Sequence, residues 1–256
     1  MSENRRRFLA RASAGAAALM LSGCTSLSER KWVADLLSEV ENLTRHAQRL
    51  FAGTHTLAPE FSKKDIAAVF RANGTLNPDT ADYNAHAANG FRDWRIEVGG
   101  LVERPLSLSM AELRALPSRT QITRHDCVEG WSCIGEWTGT PLKLVLAAAK
   151  PKATARYVVF HCADNMSQEG DAAQFYYESL DLLEATHPQT LLAYELNGQA
   201  LPIEHGAPVR LRAERQLGYK MAKFVNRIEL VDSYAYVNGG RGGYWEDQGY
   251  SWYAGI

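Results

Sequence analysis

Arg124-His125-Asp126-Cys127-Val128-Glu129-Gly130-Trp131-Ser132 is the stretch on which the reading of this 256-residue chain turns. A cysteine thiolate is a soft ligand, suited to polarisable metals. Cys127 sits among His125, Asp126, Glu129 and Trp131, and Gly130 lets the backbone turn closely beside it. Taken alone, the stretch allows three readings. Cys127 is a buried structural thiol, a nucleophile with His125 as its base, or the one protein sulfur on a metal.

The other cysteines narrow the choice without settling it. They are Cys24, Cys133 and Cys162. Cys24 closes Leu21-Ser22-Gly23-Cys24, which reads as a lipobox with Cys24 acylated. Ahead of it stand Arg5-Arg6-Arg7-Phe8-Leu9 and an apolar run over residues 12–21. That run is too short for a helix to cross a hydrocarbon core of roughly 30 Å, so residues 1–24 read as a twin-arginine signal with a lipobox. The expected location is the periplasm, with a possible lipid anchor at Cys24. Three cysteines then remain in an oxidising compartment and cannot all pair within one chain. The spacing from Cys127 to Cys133 and to Cys162 fits no zinc ribbon.

Composition excludes little else. The 28 basic and 29 acidic side chains nearly cancel, so no field points to nucleic acid. Trp32, Leu36, Leu37, Val40, Leu43, Ala47, Leu50 and Phe51 recur at helical spacing, which predicts an amphipathic helical segment within residues 25–60. Residues 52–91, rich in Gly, Pro, Asn and Asp, read largely as loop. Strands are expected at residues 94–98, 157–160, 209–212 and 224–231, and helices after Ser109, over 141–149 and over 179–185. The tail after Gly239-Gly240-Arg241-Gly242-Gly243 is aromatic and is expected to cover a pocket or pack on the body. Strands and helices mix without regular alternation, which predicts an α+β fold with mixed sheets and short helices, preceded by a helix, with one main domain over 61–256.

A series of blocks, in order, carries a resemblance. They are Cys127-Val128-Glu129-Gly130-Trp131-Ser132, Trp137-Thr138-Gly139, Arg156-Tyr157-Val158-Val159-Phe160, and His187-Pro188-Gln189-Thr190-Leu191. Asn197-Gly198, Gly206-Ala207-Pro208-Val209-Arg210-Leu211 and Gly218-Tyr219-Lys220-Met221-Ala222-Lys223 complete it. The sequence resembles the sulfite-oxidase superfamily, including the periplasmic protein-methionine-sulfoxide reductase catalytic subunits. The resemblance implies the sulfite-oxidase-type fold and a molybdenum-molybdopterin cofactor whose metal takes Cys127. It implies Tyr176 as a further active-site residue, orienting substrate or moving a proton. Arg71, Asn73, Gly74, Cys162, His205, Arg210, Lys220, Met221, Ala222 and Lys223 are the implied cofactor contacts. A guanidinium clasps phosphate with two bonds and a lysine adds a point charge, which makes Arg210 and Lys223 the leading phosphate or pterin contacts.

The expected reaction is two-electron oxygen-atom transfer, oxidising a small oxyanion or reducing a sulfoxide-type substrate. Electrons are expected from a cytochrome or membrane heme protein, and the chain is expected to be a monomer. Sulfite-oxidising members carry Gly-Asn-Arg-Arg after the ligand cysteine, where this chain has Glu129-Gly130-Trp131-Ser132. That departure, with no immunoglobulin-like or cytochrome-type domain in view, argues against a sulfite oxidase proper. The rival readings are a cofactor-free periplasmic lipoprotein that binds a small anion or a protein partner, and a thiol enzyme built on Cys127 and His125.

Overall fold

The computed structural model describes residues 40, 43–47, 49, 50, 53, 56–167 and 172–256. The signal at 1–24 lies outside the described residues, as does most of the predicted amphipathic segment. Its described part is helical, and the Thr44 hydroxyl donates to the Val40 carbonyl at 2.9 Å. Residues 53–256 form a compact unit of their own.

Among the described residues of that unit ten strands form two sheets, the first mixed and the second antiparallel. In the first, β1 (Arg95–Gly100) lies between β2 (Leu106–Ser109) and β10 (Val225–Val231). Next to β10 come β5 (Tyr157–Asn165) and β6 (Phe175–Asp181). Alternation in β1 buries Ile96 and Val98 and leaves Arg95 and Glu97 outside. Val158, Val159 and Phe160 in β5 are fully buried, as a strand covered on both faces requires. β1 and β10 run parallel, pairing Glu97 with Arg227 and Val98 with Ile228.

The second sheet runs β3 (Arg119–Asp126), β4 (Ser132–Pro141), β7 (Leu191–Leu196) and β8 (Gln199–Ala200), with β9 (Arg210–Arg212) also on β7. Between the strands run α1 (Ala81–Ala88), α2 (Met110–Ala115), α3 (Leu142–Ala149), α4 (Leu182–Ala185) and α5 (Tyr244–Asp247). Ser109 and Glu112 form a capping box at the start of α2. In α3, Leu142, Val145, Leu146 and Ala149 bury one stripe at helical spacing.

The α+β expectation holds, and two local expectations need correction. Residues 179–181 belong to β6, because Ser179 pairs with Val159 and Asp181 with Tyr157; the helix starts only at Leu182, capped by Asp181. The loop expected over 52–91 contains α1, whose inner face rests on Tyr83. The Tyr83 hydroxyl donates to the Ala207 carbonyl at 2.7 Å, and its ring meets Trp94 and Phe224 edge-on. Tertiary packing, not periodicity, holds that helix.

Candidate active site

β3 and β4 form a hairpin that closes its pairing at Asp126 and Ser132, so Cys127 is the first residue of the connection. The Cys127 N–H donates to the Trp131 carbonyl at 2.9 Å, and the Gly130 N–H to the Cys127 carbonyl at 3.0 Å. Gly130 has φ +85°, a conformation that disfavours any side chain. The Cys127 thiol is nearly buried and accepts a hydrogen bond from Asn73 Nδ2 at 2.9 Å.

The sulfur opens into a cleft of about 920 Å³, counting its mouth. Of the residues singled out from sequence, Arg71, Asn73, Gly74, Cys127, Tyr176, His205, Arg210, Met221 and Lys223 line it. Arg210 is buried, with Nη1 donating to the His205 carbonyl at 3.0 Å and Nη2 to the Met221 carbonyl at 3.1 Å. Its Nε has no hydrogen-bond partner. Burial and the neighbouring Arg212 bring the Arg210 guanidinium down to about 9. Lys223 spends its ammonium on three carbonyls, those of Asn73 (2.9 Å), Thr75 and Glu204 (2.9 Å). It therefore ties the 73–75 loop to the 204 turn, and burial with Arg210 nearby lowers it to about 7. Gly206 lets this crossing form: at φ +107°, a Cβ there would stand 2.9 Å from the Lys223 Cβ.

Beneath the cleft lies a charged network that sequence reasoning missed. Arg212 and Glu214 are fully buried and bind each other through two bonds, at 2.9 and 2.6 Å. Arg212 Nη1 stands 3.0 Å from His125 Nδ1, and Gln121 Nε2 donates to Glu214 at 2.9 Å. Burial, then Arg212 and Arg210, hold the His125 ring well below the usual histidine range, so it is neutral. Its other edge packs on Gly218. His125 thus faces Arg212 and Gly218, which speaks against its use as the base for a Cys127 nucleophile.

Three expected cofactor contacts do not line the cleft. Lys220 is buried in ion pairs with Glu178 and Glu246, which raise its pKa and keep it charged despite burial. Cys162, on β5 opposite Val225 of β10, packs in the main core, where burial pushes its thiol up. Ala222 packs into the same core, with its carbonyl taken by the Leu211 N–H at 2.8 Å. Tyr176 does line the cleft, and its hydroxyl donates to the Tyr219 carbonyl at 2.5 Å. Burial and then Glu178 raise it well above the usual phenol range. Cys133 is a free thiol, as are Cys127 and Cys162, so no pair forms between Cys133 and Cys162.

Asp164 is a cleft residue without any sequence signal. Burial lifts its carboxyl to about 6, with the Thr75 side chain and Lys223 pulling it back. Such a group binds more protons folded than unfolded between 3.8 and about 6, so the stability it gives at low pH is lost as pH rises through that window. His125 and His205, both depressed, have the opposite slope in the same range. Asp164→Asn is therefore best read as a difference: its Tm advantage over wild type should grow from near zero at pH 4 to several degrees at pH 8. Thermal melts of cofactor-free protein across that range check it. An advantage independent of pH would contradict the assignment.

The residues fit one kind of cofactor. Among the described residues no group of three or more His, Cys, Asp or Glu is placed to hold a metal ion. A metal at Cys127 must therefore bring most of its own ligands. The unpaired Nε of a buried arginine, and Asn73 at the sulfur, supply donors for a polar, anionic organic ligand carrying that metal.

Residues 84–236 match the family described as oxidoreductase molybdopterin binding domain, and the chain belongs to that family. It is a molybdenum-cofactor-dependent oxidoreductase, and the cofactor-free reading is set aside. Among relatives, it is 36% identical over 251 residues to an Azospira oryzae protein provisionally named protein-methionine-sulfoxide reductase subunit YedZ1, covering 98% of this chain and 87% of that one. It is 41% identical over 145 residues to the protein-methionine-sulfoxide reductase catalytic subunit MsrP of Xanthomonas axonopodis pv. citri, a match over 54% of this chain and 45% of the relative. The chain thus spans about half the length of the MsrP relatives it matches. The solved sulfane dehydrogenase SoxCD from Paracoccus pantotrophus aligns at 25% identity with a TM-score of 0.48, over 56% of this chain and 39% of that chain.

Proposed function

We propose that this oxidoreductase reduces a neutral sulfoxide-type substrate, with Cys127 as the molybdenum ligand. The observation that carries the reading is the Cys127 sulfur, facing the cleft under an Asn73 donor. When bound, the cofactor supplies two-electron oxygen-atom exchange. Cys127 holds the metal, and Asn73 fixes the sulfur's direction. Arg210 offers its unpaired Nε–H to the cofactor's polar or phosphate edge, with His205 and the Met221 backbone beside it. Lys223 acts mainly by holding the 73–75 loop shut around that edge. Tyr176, neutral and anchored on the Tyr219 carbonyl, presents its ring as part of the wall on which the substrate packs.

The wall chemistry supports a neutral substrate over an oxyanion. The Arg71 guanidinium is drawn onto the Trp131 ring, 4.9 Å from its centroid, and the carboxyl groups of Glu129, Asp164 and Glu204 share the lining. An anion entering there meets as much negative as positive charge. The relatives' names support sulfoxide reduction, and the word subunit in them supports a partner chain. We assign that partner as a cytochrome or membrane heme protein that delivers electrons, and place the enzyme in the periplasm, exported folded by its twin-arginine signal and anchored through Cys24.

Protein expressed with ample molybdenum cofactor tests the reading. One molybdenum per chain is expected by elemental analysis. With reduced viologen as donor, dimethyl sulfoxide reduction should exceed sulfite oxidation, assayed with ferricyanide, by at least about a hundredfold in kcat/KM. Preferred sulfite oxidation would overturn it.

A further inference from the structure

Past residue 236, where the family match ends, the chain returns to the cleft and supplies part of its wall. Trp245 and Tyr250 line the cleft and stack on each other at 5.4 Å, and Tyr219 meets Tyr250 edge-on at 5.2 Å. Trp245 lies on α5, and the stretch around it is sewn down at many points. The Asp247 carboxylate accepts from the Tyr177 hydroxyl at 2.5 Å and from the Gly239 and Arg241 N–H groups at 3.0 Å. The Tyr219 hydroxyl donates to the Ser251 carbonyl at 2.6 Å, and Trp252 Nε1 to Ser179 Oγ at 2.9 Å. The Leu217 N–H donates to the Ala254 carbonyl at 2.9 Å.

Under this strap lies the Lys220 cluster. Lys220 Nζ bridges Glu178 of β6 and Glu246 of α5, and all three side chains are buried. One oxygen of each carboxylate has no partner, and Gly243 crosses where any side chain would strike both acids. A buried ionic trio of this kind is weak evidence for stability, since apolar groups of similar volume often do as well. What charge adds is a single seating, because among the described residues the cation that Glu246 meets is Lys220. Glu246 sits one residue from Trp245, so that seating fixes where the Trp245 ring stands.

We propose that residues 243–252 form a substrate-selecting strap, in which Trp245 and Tyr250 contact the substrate's apolar substituent and Lys220, with Glu178 and Glu246, is the pin that seats them. Trp245 and Tyr250 are specificity residues, and Lys220 is a positioning residue. The inference rests on the sulfoxide reading above. The aromatic pair offers its surface to a flat substituent, which makes an aryl sulfoxide a better fit than a dialkyl one of small size.

The test compares methyl p-tolyl sulfoxide with dimethyl sulfoxide on full-length, molybdenum-loaded protein. Trp245→Ala and Tyr250→Ala are expected to lower the aryl-to-dimethyl ratio of kcat/KM about tenfold at wild-type molybdenum content, through KM. Glu246→Ala should lower the same ratio and speed chymotrypsin cleavage after residues 244, 245 and 250 at least tenfold. Glu246→Gln, which keeps an acceptor for Lys220, should restore both to within threefold of wild type. A ratio within twofold of wild type in Trp245→Ala and Tyr250→Ala overturns the strap. Identical behaviour of Glu246→Ala and wild type overturns the pin. If loaded wild type reduces neither sulfoxide, the proposed function fails, and tryptophan fluorescence decides the strap. Quenching by methyl p-tolyl sulfoxide that disappears in Trp245→Phe upholds it, and its absence in wild type overturns it.

Discussion

Cys127→Ser is expected to leave a folded protein with under a tenth of the wild-type molybdenum and activity reduced by more than about a hundredfold. The figure is a lower bound, since loss of a single outer-shell partner around a bound metal already costs about 10–100-fold. A serine hydroxyl is a harder and far weaker acid than a thiol, so at neutral pH it offers no soft anion to the metal. The Asn73 amide, which donates to sulfur at 2.9 Å, would then face a neutral hydroxyl. Folding should be spared, because Cys127 stands in the hairpin connection and in none of the three core clusters of the described residues. Elemental analysis, the thiolate-to-molybdenum charge-transfer absorption and far-ultraviolet circular dichroism read the three parts separately. A serine variant with full metal and full turnover would remove Cys127 from the site.

The second large effect lies under the cleft. Glu214→Ala should cost about 3–5 kcal/mol, the usual result of leaving one member of a buried ion pair uncompensated. For a protein of this size that corresponds to a Tm lower by about 10 °C. The geometry supports the upper part of the range. Glu214 binds Arg212 through two bonds and accepts from Gln121, and without it Arg212 is left buried beside Arg210, keeping its hydrogen bond to His125 among the described residues. The Arg212→Met/Glu214→Met double variant should recover much of the loss, because removing both charges lifts the desolvation penalty. By contrast Arg95–Glu112, half exposed on both sides, should contribute under about 1 kcal/mol. Calorimetric melts of Glu214→Ala, the double variant and Glu112→Ala would distinguish these outcomes.

What could be read ahead of the structure follows the physics of each element. α2 and α3 were legible because their signals are local: a capping Ser109 with Glu112, and a stripe of Leu142, Val145, Leu146 and Ala149. β3 was not. Its inward residues are Gln121, Thr123 and His125, so it alternates buried and exposed without alternating apolar and polar. That same strand supplies Gln121 and His125 to the Arg212–Glu214 network, whose members are unremarkable one by one along the chain. Arg210, Asn73, His205 and Tyr176 were recognisable only through ordered blocks shared with a family, and the structure brings them to one cleft. Lys220 shows the limit of that transfer: it stands in the right block, but Glu178 and Glu246, distant in sequence, take its charge. Asp164 carried no signal in the sequence because burial against the cleft, not its neighbours along the chain, sets its chemistry.

The parallel pairing of β1 with β10 also dictates an order in time. Ile96 and Val98 leave the ribosome long before Ile228 and Leu230, yet they share one sheet with them. Contacts so far apart along the chain form late, after most of the loop between them has been closed at an entropic cost. Arg210 and Lys223 belong to the same late stretch, whereas Asn73 and Cys127 emerge early. A half-made chain therefore presents a sulfur with no cation beside it. On the proposed assignment of Cys127, loading of the metal is expected to follow translation through Val231, since a nascent chain stalled before that residue has no completed cleft.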